Sequence, residues 1–436
     1  KAYDIRGIYP RELTEETAYQ VGLSFISFLK KSSGKSGKLK IGVGRDNRIS
    51  SPRLFKSLAK GITRAGADVA DFGLVTTPMF YFCVAYYKLD GGIQVTASHN
   101  PPQYNGFKLI GKGAVPISKE SGLEEIKNLI LKPVKKDPTG KGKIKKKSAA
   151  PDYLKFTLKS VNLKNLKPLK IVIDTANAVP GILIPKIFRK TPLRIYHLFK
   201  KLDANFPNHH PNPQIEENLI SLQKEAIKRQ ADLGIAFDGD GDRVIFVDEK
   251  GKTIRADLIT ALMAELILKE KKGAKILYDL RSSNIILEVI KKYRGKAVMG
   301  RVGHSFIKEK MRKENIFFAG EVSGHYYLRD NFFSESPFFV IFKILEEMSQ
   351  TGKPISRIIQ KYQKYYHSGE INFKTEGKDK IIKKLKKVYS KKGKITEIDG
   401  LRIDFKDWWF NVRASQTESL LRLAWEARTK DLLEKL

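Results

Sequence analysis

Apolar residues in this chain fall into short runs separated by longer stretches of helical spacing, and three of the runs begin alike. Lys40-Ile41-Gly42-Val43-Gly44-Arg45-Asp46, Lys170-Ile171-Val172-Ile173-Asp174 and Lys275-Ile276-Leu277-Tyr278-Asp279 each read as an apolar strand closing on an aspartate. A second strand is predicted after each, at 67–74, 193–199 and 297–302, and a third at 91–95, 231–237 and 316–319. Helical spacing over Ser51 to Ala65 and Leu258 to Lys271 lies between them. Strands alternating with helices predict α/β layers with mostly parallel sheets. Three related units would then each aim the loop after the third strand at a shared cleft. From about Lys364 the pattern changes to short strands (371–373, 401–405, 408–412) and a last helix, a small α+β domain. Lys132 to Ala150, rich in Lys, Pro and Gly, reads as a linker.

The loops after the third strands carry the chemistry. The first is Thr96-Ala97-Ser98-His99-Asn100-Pro101-Pro102-Gln103-Tyr104-Asn105-Gly106-Phe107-Lys108. A serine hydroxyl beside an imidazole, on a proline-stiffened loop with a lysine ten residues on, suits covalent catalysis or phosphoryl transfer. The second is Asp238-Gly239-Asp240-Gly241-Asp242-Arg243. Three carboxylates at alternate positions need a compensating cation, and the glycines let the backbone curl so that they converge. Hard oxygen ligands of this kind suit Mg²⁺. A calcium loop is the rival, with Glu249 at its twelfth position, but Arg243 stands where that loop needs glycine. A metal-free acidic turn is the remaining reading.

Gly320-Glu321-Val322-Ser323-Gly324-His325 forms the third loop, able to hydrogen-bond a polyol or simply to turn the chain. Near the C-terminus, Arg413-Ala414-Ser415-Gln416-Thr417 leading into an expected helix would make a phosphate cradle. An ordinary helix capped by Thr417 would look the same.

In this order the four loops resemble those of the α-D-phosphohexomutases, the phosphoglucomutase and phosphomannomutase enzymes. Ala2-Tyr3-Asp4-Ile5-Arg6-Gly7 is similar to that family's opening signature, Phe206 to Pro213 to the stretch before its metal loop, and Gly303-His304-Ser305-Phe306-Ile307-Lys308 to another segment. The resemblance covers essentially the whole chain. It implies four domains around one central cleft, drawn here at 1–145, 146–252, 253–363 and 364–436. It makes Ser98 the phosphorylated serine, and Asp238, Asp240 and Asp242 the Mg²⁺ ligands together with Ser98. Tyr3, Arg6, His99, Lys108 and Arg243 match positions lining the phosphoryl-transfer centre. Glu321, Ser323 and His325 match the sugar loop, Arg281 and His304 further substrate contacts, and Arg413, Ser415, Gln416 and Thr417 the phosphate loop. Val322 is similar to the mannose/glucose branch. Ala414, Ser419, Gln416 and Ala178 depart from the residues usual at their positions.

The activity so implied interconverts hexose 1-phosphate and hexose 6-phosphate, of mannose or glucose, through a phosphoserine and a hexose 1,6-bisphosphate that also serves as activator. Phosphoglucosamine mutase is the alternative, as is a non-catalytic phosphosugar- or polyanion-binding protein. His99 and His325 are candidates for the general base, with Lys108 or Arg6 if their pKa values are lowered.

Composition changes this picture little. The chain has 436 residues, enough for several domains, and no apolar run of membrane-spanning length. Cys83, the one cysteine, sits in an apolar run and fits a buried position in a reducing cytoplasm. The chain opens at Lys1, so a few preceding residues are expected; no signal peptide is visible. A net charge of +35 raises nucleic-acid binding, but the lysines are scattered and their tracts hold one aromatic, Tyr389. No specific nucleic-acid partner, no membrane and a monomer or dimer are expected.

Overall fold

Each predicted Lys-Ile strand becomes an inner strand of a sheet, with a parallel neighbour on either side, in the computed structural model, which describes residues 3–35, 37–132, 141–159, 161–414 and 420–435. The chain divides into two compact units, one comprising 1–253 with 330–355, the other 254–329 with 356–436.

In the first unit, Lys40–Arg45 lies between Asp68–Leu74 and Gly91–Val95, parallel to both. Tyr104–Gly111 then returns antiparallel beside Gly91–Val95, and Ile5–Ile8 pairs antiparallel beyond it. The second sheet repeats this order: Lys170–Asp174 between Arg194–Leu198 and Leu233–Phe237, with Val244–Val247 antiparallel at the side. In the second unit Lys275–Asp279 lies between Lys296–Gly300 and Phe318–Gly320, and Tyr326–Leu328 returns antiparallel. All three catalytic-looking loops are therefore one topological object, the hairpin joining a third, parallel strand to a fourth, antiparallel one. Because the third strand is buried on both faces, the hairpin is the first place where its chain can present polar groups.

The covering helices follow from local sequence. Thr14 caps Glu15–Ser33 by accepting from Thr17 N at 3.1 Å, acids open it, Lys30 and Lys31 close it, and Gly34 at φ +62 ends it. Leu54, Leu58 and Ile62 form the buried stripe of Ser51–Arg64. These two helices cross at glycines: a Cβ on Gly61 would lie 2.2 Å from Tyr19 O, and one on Gly22 2.5 Å from Leu58 O. Pro337–Thr351 belongs to the first unit, where Phe338 and Phe342 pack on Phe237 and Phe188 with ring centroids 5.5 Å apart in each pair.

Two segments differ from expectation. Ile144–Lys146, inside the expected linker, is an edge strand parallel to Asp68–Leu74. Its side chains are exposed, so no apolar periodicity marks it. Leu420–Ala427, expected to be helical, is a strand. It pairs antiparallel with Trp408–Ala414 on one side and with Ile371–Lys374 and Tyr366–His367 on the other. The last helix is only Lys430–Lys435. No helix among the described residues is long and apolar enough to cross a membrane.

Candidate active site

Ser98 follows the fully buried strand Gly91–Val95 and adopts φ +51, which residues with a Cβ rarely do. Its N–H donates to Thr96 Oγ1 at 2.9 Å. Its hydroxyl donates to Asp238 Oδ2 at 2.8 Å and lies 3.1 Å from His99 Nδ1. The acidic loop reaches Ser98 only because residue 239 is glycine: a Cβ there would stand 2.3 Å from Ser98 O. Gly241, at φ +72, makes the second bend.

Asp238, Asp240 and Asp242 are buried and each offers an oxygen within 4.8 Å of the others'. Lys108 Nζ contacts Asp242 Oδ2 at 2.6 Å and Asp240 Oδ2 at 2.8 Å, and Thr77 Oγ1 donates to Asp240 Oδ2 at 2.6 Å. Asp240 Oδ1 is buried with no hydrogen-bond partner among the described residues. One ammonium bridges two of the three buried carboxylates while Asp238 accepts from Ser98, a donor set that fits a hard divalent cation. Burial, then Asp242 and Asp240, push the Asp238 carboxyl well above its ordinary range. Burial alone would lower Lys108, but Asp240 and Asp242 outweigh it and hold the amine cationic. His99 is driven well below the ordinary imidazole range by burial, Arg243 and Arg6, which favours the neutral ring.

Arg6 binds Asp4 at 2.8 Å and reaches the serine loop through Ala97 O at 3.2 Å and Asn100 Oδ1. Arg243 donates its N–H to Asp238 Oδ1 at 3.1 Å, while its guanidinium reaches Gln214 Oε1 at 2.7 Å. Tyr3, half-buried, leads into the Ile5–Ile8 strand that carries Arg6. Glu249 lies beyond the far end of Val244–Val247 from Asp238, so the calcium-loop reading fails in space as well.

The second unit collects the sugar-loop residues. Glu321 Oε2 accepts from Tyr327 Oη at 2.7 Å and lies 2.9 Å from His325 Nδ1, which is also 2.9 Å from Ser323 Oγ. Glu321 Oε1 accepts from Gly303 N at 3.0 Å, which ties in the start of the His304–Glu314 helix. Burial would raise Glu321, but His325, Tyr327 and Arg281 keep it ionised. Arg281 contacts Asp279 at 2.9 Å and Glu370 at 3.2 Å, and Arg413 contacts Glu370 at 2.8 Å. Arg422 adds a third guanidinium to Glu370 at 3.3 Å. Burial would raise the Glu370 carboxyl, but Arg281, Arg413 and Arg422 hold it at about 2. Ser415, Gln416 and Thr417 lie outside the described residues. The segment after them is the Leu420–Ala427 strand, so the expected helix N-terminus is not part of any cradle.

Sequence reasoning missed Glu370, Thr77, Tyr327 and the buried pair Asp46 and Arg48. Only the last pair left a signal, an Asp-x-Arg spacing repeated at Asp279 and Arg281.

Comparison with known proteins agrees along the whole chain. Four phosphoglucomutase/phosphomannomutase family profiles match: α/β/α domain I over residues 1–136, domain II over 151–251, domain III over 255–365 and the C-terminal domain over 370–436. The chain belongs to the phosphoglucomutase/phosphomannomutase family. It is 39% identical to a phosphomannomutase of Vibrio cholerae, over 98% of this chain and 94% of that one. It is 41% identical to a phosphomannomutase of Methanocaldococcus jannaschii, over 98% and 93%. Against a phosphomannomutase/phosphoglucomutase of Pseudomonas aeruginosa the identity is 35%, over 100% and 93%. A crystal structure of a family protein from Burkholderia thailandensis superposes with a TM-score of 0.92 at 31% identity, covering 100% of this chain and 94% of that one. Like the family, the chain is a hexose phosphate mutase, an intramolecular phosphotransferase.

Proposed function

We propose that the mutase interconverts the 1- and 6-phosphates of mannose and glucose through a phosphoryl group carried on Ser98. The observation that carries this reading is Ser98 Oγ, held 2.8 Å from the Asp238 carboxylate in a buried group of three aspartates and Lys108. The relatives named phosphomannomutase and phosphomannomutase/phosphoglucomutase support the sugars, and Val322 in the sugar loop agrees with them.

The hexose 6-hydroxyl attacks the phosphorus on Ser98; the P–O bond to Ser98 breaks as the bond to O6 forms. Hexose 1,6-bisphosphate results. It turns round, Ser98 Oγ attacks the phosphorus at C1, and hexose 6-phosphate leaves with the phosphoserine restored. The proton given up at O6 in the first half is returned to O1 in the second. Asp238, Asp240 and Asp242, with an oxygen on Ser98, would hold Mg²⁺, whose charge offsets that on the transferring oxygens. Lys108, kept cationic by its aspartates, and Arg6 add positive charge in a buried site. The same charge argues against either as general base. The His99 imidazole, 3.1 Å from Ser98 Oγ, is the better proton acceptor there, with His325 a candidate in the sugar loop. Glu321, Ser323, His325, Arg281 and His304 would bind the sugar. Tyr3 and Arg243 would bound the transfer centre. Arg413, with Ser415, Gln416 and Thr417, would anchor the phosphate that is not reacting.

A Mg²⁺-dependent assay on mannose 1-phosphate and glucose 1-phosphate, primed with hexose 1,6-bisphosphate, tests this. Wild type should turn over, and Ser98→Ala should lose at least roughly a thousandfold in kcat. Turnover only with glucosamine 1-phosphate would move the substrate to the amino sugar. Full activity in Ser98→Ala would remove the phosphoserine.

A further inference from the structure

Arg48 is 1% exposed and its partner Asp46 2%, yet neither the metal loop nor the proposed substrate contacts use them. Asp46 directly follows the first repeat strand, Lys40–Arg45. Its Oδ1 accepts from Arg48 N at 3.0 Å and Ser51 Oγ at 2.6 Å. Its Oδ2 accepts from Arg48 Nε at 3.1 Å and Thr96 Oγ1 at 2.7 Å. Thr96 Oγ1 in turn accepts the N–H of Ser98.

The rest of the guanidinium reads main chain. Nη1 donates to Pro101 O at 2.7 Å and Tyr104 O at 3.0 Å, and Nη2 to Ser98 O at 2.8 Å and Asn100 O at 2.6 Å. A guanidinium has five N–H donors, and these four carbonyls with Asp46 use all five. Nothing is left to offer a substrate. Both the N–H and the C=O of Ser98 are thus fastened, through Thr96 and Arg48, to the Asp46 carboxylate. That fastening opposes relaxation of Ser98 from its left-handed φ.

The third repeat uses the same spacing differently. Asp279 accepts from Arg281 N at 2.8 Å and from Val322 N, in the following hairpin, at 2.9 Å. There the arginine folds back on its own aspartate and turns Nη1 to Glu370. Tying the hairpin to the aspartate at or just after the end of the first strand is common to both repeats; spending both Nη groups on the loop's main chain is peculiar to the first.

We propose that Asp46, Arg48 and Thr96 form a bracket that sets Ser98 for phosphoryl transfer, with Arg48 a positioning residue that touches neither substrate nor metal. The inference rests on Ser98 carrying the phosphoryl group. A nucleophile that must accept and return phosphorus in line, on two ends of one sugar, needs its Oγ fixed within fractions of an ångström. Lysine cannot replace Arg48, because one ammonium has three donors and no planar fork.

The test compares wild type, Arg48→Lys, Thr96→Val, Arg281→Lys and Ser98→Ala in the primed mutase assay, with folding followed by circular dichroism and phosphoserine content by intact mass. Arg48→Lys should lower kcat about 100-fold and Thr96→Val about 10-fold, each with KM within about twofold of wild type. Arg281→Lys should instead raise KM. If folded Arg48→Lys or Thr96→Val keeps kcat within about threefold, or changes KM alone, the bracket is structural only and the proposal falls. Should Arg48→Lys fail to fold, Thr96→Val decides by the same criterion. Full turnover in Ser98→Ala would identify a different failure, that of the phosphoserine itself.

Discussion

Glu370 gathers three arginines onto one carboxylate, and two of them, Arg281 and Arg413, are proposed to meet the substrate. Removing it leaves partly buried guanidiniums repelling one another without a common acceptor. Glu370→Gln is therefore expected to raise KM for the hexose phosphate roughly tenfold with a smaller change in kcat; an unchanged KM would mean that Arg413 is oriented by something else. His209 offers a pH dependence. Its Nε2 lies 3.0 Å from Asp174 Oδ2, and although burial would lower its pKa, Asp174 outweighs burial and raises it. A raised folded pKa adds stability that is complete below the unfolded value of about 6.5 and is lost as pH climbs through the folded value. Denaturant midpoints should fall across that window in wild type and stay flatter in His209→Gln. Residues of this kind were hard to read in the sequence. Ser98 and the aspartates stood out because their neighbours are unusual. Glu370 sits among ordinary neighbours and acquires meaning only from partners many positions away, and Arg48 is marked by nothing beyond the Asp-x-Arg spacing it shares with Arg281.

At the scale of elements, the parallel strands and their helices were legible because each carries one clear period. Leu420–Ala427 was not. It is an inner strand with partners on both edges and two buried residues on each face, so Leu420, Leu421 and Ala424 also satisfy helical spacing. Pairing with Trp408–Ala414 decides the matter, and that pairing is not local. The crossing of Glu15–Ser33 with Ser51–Arg64 is likewise invisible in either helix alone, since Gly22 and Gly61 resemble any helix glycine. Gly61→Ala should cost about 3 kcal/mol, because the added methyl meets main chain at Tyr19 that cannot move aside. Chemical denaturation of the variant would measure it, and a loss below about 0.5 kcal/mol would show that the crossing can open.

For the molecule as a whole, the threefold recurrence of strands was readable from the Lys-Ile starts, and it placed the chemistry in the loops after the third strands. The charge of +35 was readable too but carried no structural information. Chelation should abolish turnover, restored by Mg²⁺, while lowering the melting temperature by about 5 °C at most. Lys108 already neutralises part of the aspartate charge, so the loop need not unfold without metal. A larger drop would make the cation a structural one.

The chain's route between its two units matters for how the protein is made. The first unit draws on residues 1–253 and then on 330–355, whose helix supplies Phe338 and Phe342. A ribosome must therefore synthesise the chain through residue 355 of 436 before the unit that carries Ser98 and the aspartates can close. Until then, Phe188 and Phe237 on the nascent chain lack the Phe338 and Phe342 rings they pack against in the folded unit.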